Sequence, residues 1–138
     1  MAQTIKYQKG YKYRLFEQRI HRVNIQPEKP IATEYITLSQ GGILAIKKGY
    51  AWDGASGPTW DDKTNMRGSL VHDALYQLMR LDLLPQSCKE AADREMQRIC
   101  IEDGMWQIRA WYYYQGVRHF ARKFCSPGHE PYPVLTAP

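Results

Sequence analysis

The chain has only three cysteines in 138 residues, Cys88, Cys100 and Cys125. Their spacing forms neither a disulfide framework nor a paired metal-ligand motif, which suits a reducing compartment. No apolar run approaches the roughly 18 residues that a membrane span needs. The opening MAQTIKYQKG has no apolar stretch after its first lysine, so a secretory signal peptide is not expected and cytosolic synthesis is. A polybasic run is also missing, because the 19 Lys and Arg are dispersed among 14 Asp and Glu. The net charge of +5 and pI near 9.1 favour encounter with anionic lipid, wall polymer or nucleic acid. Without a basic stripe, no specific nucleic-acid contact is predicted. The G-x-S-x-G nucleophile motif is absent too, so Ser56 in A-S-G-P reads as a turn residue. There is no internal repeat.

What the chain does have is enough apolar matter for one domain over residues 1–138, with 43% hydrophobic and 12% aromatic residues. Its periodicity predicts an α+β fold, an N-terminal antiparallel β meander followed by three helices. In the β-rich segment, residues 1–52, Tyr11, Tyr13 and Leu15 alternate with polar neighbours, and Ile20, Val23 and Ile25 follow. Thr33 to Leu38 and Ile43 to Ile46 flank a Gln40-Gly41-Gly42 turn. The loop before the helices, taken as residues 53–65, is rich in Gly and Asp, which suits turns or close approach to a ligand.

The helical core spans residues 66–124. Thr64 or Asn65 caps a first helix to about Arg80, with Leu70, Val71, Ala74, Leu75 and Leu78 as its apolar stripe. Ser87, with Glu90 three residues on, predicts a capping box for a second helix buried through Ala91, Ala92, Met96, Ile99 and Cys100. Gly104 ends it. A third helix, about Trp106 to Lys123, aligns Ile108, Trp111, Tyr112, Gln115 and His119 on one stripe. Tyr112 to Tyr114 are expected to divide between core and surface. The proline-rich tail, residues 125–138, is expected to be extended.

The chemistry-bearing residues converge on the first two helices. His72 and Asp73 are adjacent within V-H-D-A-L-Y, and Tyr76 lies one turn beyond both. Antiparallel packing beside Ala91 and Ala92 lets Asp93 reach an imidazole nitrogen. A carboxylate on one ring nitrogen fixes the tautomer and leaves the other nitrogen free to accept a proton from water. Asp73 then remains for a hard cation, with oxygen ligands from the preceding loop. The plain alternative is a cluster of structural hydrogen bonds without chemistry. His21, His119 and His129 lack partners by spacing, which counts against a metal phosphohydrolase with several His and Asp ligands.

This H-D-x-x-Y helix, with A-D on the next helix and a glycine-containing loop before it, resembles the secreted phospholipase A2 superfamily, most closely its small bacterial members. The likeness covers roughly residues 50 to 121. More narrowly, W-D-G-A-S-G-P followed by L-V-H-D-A-L-Y looks like an uncharacterised family of small phage and prophage proteins. The resemblance implies a phospholipase A2-like helical core with His72 as general base, Asp93 orienting it and Tyr76 bonding Asp93. It also implies calcium held by Asp73 and the Trp52-Asp53-Gly54 loop, and hydrolysis of a phospholipid or related acyl ester. This chain departs from the pattern twice. Gly68, Ser69 and Leu75 stand where flanking cysteines are usual, and the loop differs from the secreted glycine-rich form. The rival expectation is a non-enzymatic phage virion, tail or host-interaction protein that keeps the fold.

Overall fold

The computed structural model describes residues 5–7, 13–54, 62–120, 125 and 135–137. Strands occupy the N-terminal part and three helices follow, which is the expected α+β order. Four strands form the main antiparallel sheet: Arg19–Arg22 (β3), Ile31–Ala32 (β4), Ile36–Leu38 (β5) and Ile43–Ile46 (β6). Alternation buries Ile36, Leu38, Leu44 and Ile46 on one face, against the helices, in a single core.

The sheet is not a plain meander. Its order is β3-β6-β5-β4, so the chain after β3 crosses to the far edge before returning. Val23 N donates to Gly42 O at 2.8 Å as it passes the β5–β6 turn. Gly42 has φ +89, and a Cβ there would sit 2.5 Å from Val23 O. Glycine is therefore required both by the turn and by the crossing strand.

Two further two-stranded pairings stand apart from this sheet. Tyr13–Arg14 (β2) pairs with Ala51–Trp52 (β7), Tyr13 opposite Trp52. The β-rich segment thus ends in a strand at residue 52, where the loop was expected to begin. Ile5–Tyr7 (β1) pairs with Leu135–Ala137 (β8), so the end of the expected extended tail is a strand laid on the start of the chain.

Helix α1 is Met66–Arg80, α2 is Lys89–Glu102 and α3 is Gln107–Phe120. The α1 stripe is buried as its periodicity predicts. Arg67 near the start of α1 reaches Asp103 just past α2, while Tyr76 reaches Asp93 near the start of α2. The two helices are therefore antiparallel. They pack tightly at Gly68, where a Cβ would meet Cys100 Sγ at 2.6 Å and Met96 O at 3.1 Å. Gly68→Ala should destabilise the fold by about 2 kcal/mol, since the α2 backbone cannot yield locally. Urea unfolding measures this, and a loss within about 0.5 kcal/mol would show that the helices part freely.

One expectation is corrected. The capping box does not form, because a 3₁₀ turn, Gln86–Cys88, follows extended Pro85 and runs straight into α2. Ser87 is inside that turn, and Glu90 instead receives Arg94. In α3 the stripe of Ile108, Trp111 and Tyr112 faces solvent, while Ala110, Tyr113, Tyr114 and Val117 are buried. The tyrosine run does divide, with Tyr112 outside. Among the described residues, no helix is long and apolar enough to cross a membrane.

Candidate functional site

The packing of α1 on α2 brings His72, Tyr76 and Asp93 together in the interior. Asp93 is fully buried and His72 is 1% exposed. His72 Nε2 lies 2.7 Å from Asp93 Oδ1, and the Tyr76 hydroxyl donates to the same oxygen at 2.6 Å. The His72 and Tyr76 rings, one turn apart, lie tilted at 42° with centroids 4.0 Å from each other.

The other Asp93 oxygen has a partner that spacing alone did not single out. Lys89 Nζ donates to Asp93 Oδ2 at 2.8 Å and to the carbonyls of Val117 and Arg118 at 2.9 and 3.1 Å. All three ammonium protons are thereby used, and 5%-exposed Lys89 ties α2 to the last turn of α3. The signal was present, because Lys89 sits four residues before Asp93 on one helical face. Arg118 Nη1 stands 3.8 Å from Asp93 Oδ2.

This surround fixes the protonation pattern. Burial alone would raise the Asp93 pKa, but His72, Lys89 and Tyr76 outweigh it and hold the carboxyl below its ordinary range. An ionised carboxylate can only accept, so Nε2 of His72 is the protonated nitrogen and Nδ1 carries the lone pair in the neutral ring. Burial opposes charging His72, yet the carboxylates of Asp73 and Asp93 prevail and raise its pKa. Tyr76 is pushed far up, first by burial and then by the Asp93 charge. It serves as a donor only.

Nδ1 faces Asp73, whose Oδ1 is 3.9 Å away, beyond hydrogen-bond reach. The Asp73 side chain is 31% exposed, so the buried cluster meets solvent on its side. The Trp52–Gly54 segment is anchored to the same helix, because Trp52 Nε1 donates to Ser69 Oγ at 3.1 Å. Ser69 is one turn before Asp73. Gly54 is buried with φ +84, and Asp53 is half-buried. Residues 55–61, including Ser56 and Asp61, lie outside the described residues.

A carboxylate plus nearby backbone carbonyls is the donor chemistry of a hard cation. Among the described residues, no three acidic, histidine or cysteine side chains gather at one point. Among the described residues, a cation here would have Asp73, carbonyl oxygens and water to rest on.

Other polar residues support the frame. Asp62 Oδ1 accepts from Thr64 N at 2.8 Å and Asp62 Oδ2 accepts from Arg109 Nη1 at 2.6 Å, joining the start of α1 to α3. The Thr64 hydrogen bond, chiefly, holds Asp62 down at about 2. His21 is buried on β3 with Nε2 unbonded, and burial with nearby Arg67 and Arg19 lowers it to about 4. Such a cationic neighbourhood is unsuited to a metal-ligating histidine. No disulfide joins Cys88, Cys100 and Cys125. No protein-family model, curated protein or solved structure matches this chain.

Proposed function

We propose that the chain is a small phage- or prophage-type ester hydrolase of phospholipase A2 type, acting on a phospholipid or related acyl ester. One observation carries the reading: Asp93 takes the proton-bearing Nε2 of His72, leaving Nδ1 on the Asp73 side. In that tautomer Nδ1 can take a proton from water as the oxygen attacks the ester carbonyl. Tyr76 and Lys89 hold the Asp93 carboxylate so that it orients the ring without itself being protonated. Asp73, with carbonyl oxygens of Trp52, Asp53 and Gly54, would hold calcium. When bound, calcium supplies Lewis-acid stabilisation of the oxyanion and a contact for the substrate phosphate.

The first test is binding. Calcium should raise the melting temperature of the wild-type chain and give a calorimetric isotherm, since a ligand held only by the folded state stabilises it. Asp73→Asn should weaken that binding by about tenfold through loss of a charged ligand. No heat and no melting shift at millimolar calcium would remove the cation from the proposal.

A second reading has its own support. His72 is almost wholly enclosed, as suits a polar network that fixes helix packing. A virion, tail or host-interaction protein could keep such a cluster for stability alone. Complete absence of ester cleavage in wild-type protein, with calcium present, would favour it.

A further inference from the structure

Strand β3 carries a titratable residue into the contact between the sheet and the helices. His21 lies opposite Leu44 of β6, on the inward face of the sheet. It is 7% exposed, and its Nε2 has no hydrogen-bond partner among the described residues. Histidine changes charge within the range of pH that cells and their surroundings span, so an enclosed ring at a contact is a place where acid acts.

The charges around this ring leave no counter-ion for an imidazolium. They are Arg67 of α1, Arg98 of α2, Asp103 just past α2 and Arg19 of its own strand. Of these, Asp103 alone favours the charged ring, and it already holds Arg67 at 2.8 Å. Glu102 bridges Arg67 and Arg98 at 2.9 and 3.0 Å, and Glu95 accepts from Arg98 at 3.1 Å. A proton on His21 would join three arginines at a buried position that offers it no acceptor.

The contact it would disturb is local. Arg98 Nη2 donates to Arg22 O at 3.4 Å, and Asn24 N donates to Glu95 Oε1 at 2.8 Å. Val23 and Ile25 are buried in the same stretch. Strand β3 is at the edge of its sheet, beside β6, so it can part from the helices as a unit of its own.

We propose that His21 is an acid-operated latch between the sheet edge and the helices. Neutral, it seats residues 19–25 on α1 and α2. Protonated, it lets that segment lift away and uncover Val23 and Ile25. The pH window follows from the sign of the effect. Burial, then Arg67 and Arg19, hold the seated ring down at about 4, against its ordinary 6.5. The latch is therefore at full strength above pH 6.5 and weakens as pH falls toward 4. The loss approaches tenfold per pH unit and is on the order of 10²-fold in all. The cluster between α1 and α2 behaves differently. His72 is raised, so its contribution is complete below pH 6.5, and Asp93 keeps its own above 3.8. Acid between these limits loosens the sheet edge while the two helices stay tied, whether or not their site is a hydrolase.

Amide hydrogen exchange on the full chain, corrected for the intrinsic effect of pH, reads the opening. From about pH 6.5 to 4.5 the opening constant of residues 19–25 should rise about 30-fold, and that of residues 66–80 and 89–102 less than about threefold. His21→Gln, neutral throughout, should hold residues 19–25 to within about threefold over the same range. Arg19→Gln, a change at an exposed position, removes one cation from beside the ring and should diminish the rise. Nuclear magnetic resonance of the His21 ring in the wild type should give a midpoint well below 6.5, and it decides the matter even if His21→Gln fails to fold. A midpoint at or above 6.5 overturns the proposal, as does a flat opening constant for residues 19–25. An equal acid response in His21→Gln, or an undiminished one in Arg19→Gln, does the same. So does opening of α1 and α2 in step with the strand, which would make the loss global unfolding rather than release of a latch.

Discussion

Asp93→Ala lowers the unfolding free energy by about 3–5 kcal/mol, the range for removing one partner of a buried ion pair. The carboxylate is fully buried and receives His72, Tyr76 and Lys89 on its two oxygens. Without it, the Lys89 ammonium remains in the interior with two carbonyls and no counter-charge, and the Tyr76 hydroxyl loses its acceptor. Asp93→Asn keeps the shape and one acceptor, so it should cost less. Lys89→Met combined with Asp93→Leu should recover part of the loss, because an apolar pair needs no desolvation offset. Urea denaturation of the four proteins reads these differences. A loss below about 1 kcal/mol for Asp93→Ala would mean that the buried charges are already balanced elsewhere.

The pH dependence of that loss has a defined window. The folded state raises His72 above its ordinary 6.5, so its contribution is full below pH 6.5 and disappears as pH rises through the folded value. Asp93 is held below its ordinary 3.8, so its contribution is present above pH 3.8 and disappears as pH falls through the folded value. The gap between wild type and Asp93→Ala should therefore be widest between about pH 4 and 6.5.

The residues that sequence reasoning placed well are those whose partners follow from local period. His72 and Tyr76 share a helical face at i+4, and α1 has one continuous apolar stripe, so its orientation is unique. Asp93 needed only antiparallel packing of the next helix. What escaped depends on contacts between distant segments. The position of β3 beside β6 is set by the Val23 crossing over Gly42, which no local pattern encodes. Gly68 carries no motif, yet it sets the α1–α2 spacing. Helix α3 was ambiguous for a different reason. With Ala110, Tyr113 and Val117 on one side and Ile108, Trp111 and Tyr112 on the other, its apolar residues do not define a single face. Lys89 reads as a surface residue by composition, since a buried lysine is exceptional. Its burial depends on α3 carbonyls arriving about 30 residues later in the chain.

If His72 is the base, ester cleavage should fall by about 10³-fold in His72→Gln, within the usual range for loss of general-base catalysis. The pH profile then separates chemistry from scaffolding. A base must be neutral to accept a proton, so kcat/KM should rise with pH along a limb centred above 6.5, the ordinary imidazole value that this site exceeds. Lys89 is a positioning residue whose ammonium shares the Asp93 charge with His72. Lys89→Met leaves more of that charge to the imidazolium, and the limb should move up by about one pH unit. Lys89→Arg, which keeps a cation on Asp93, should restore the limb toward its wild-type position. Nuclear magnetic resonance of the His72 ring gives the same titration without turnover, so an inactive wild type would still report the coupling. A limb or ring titration that stays fixed in Lys89→Met, with the fold intact, would reduce Lys89 to a structural tie between α2 and α3. A downward movement would contradict the electrostatics of the cluster, because removing a cation beside Asp93 can only favour the protonated imidazole.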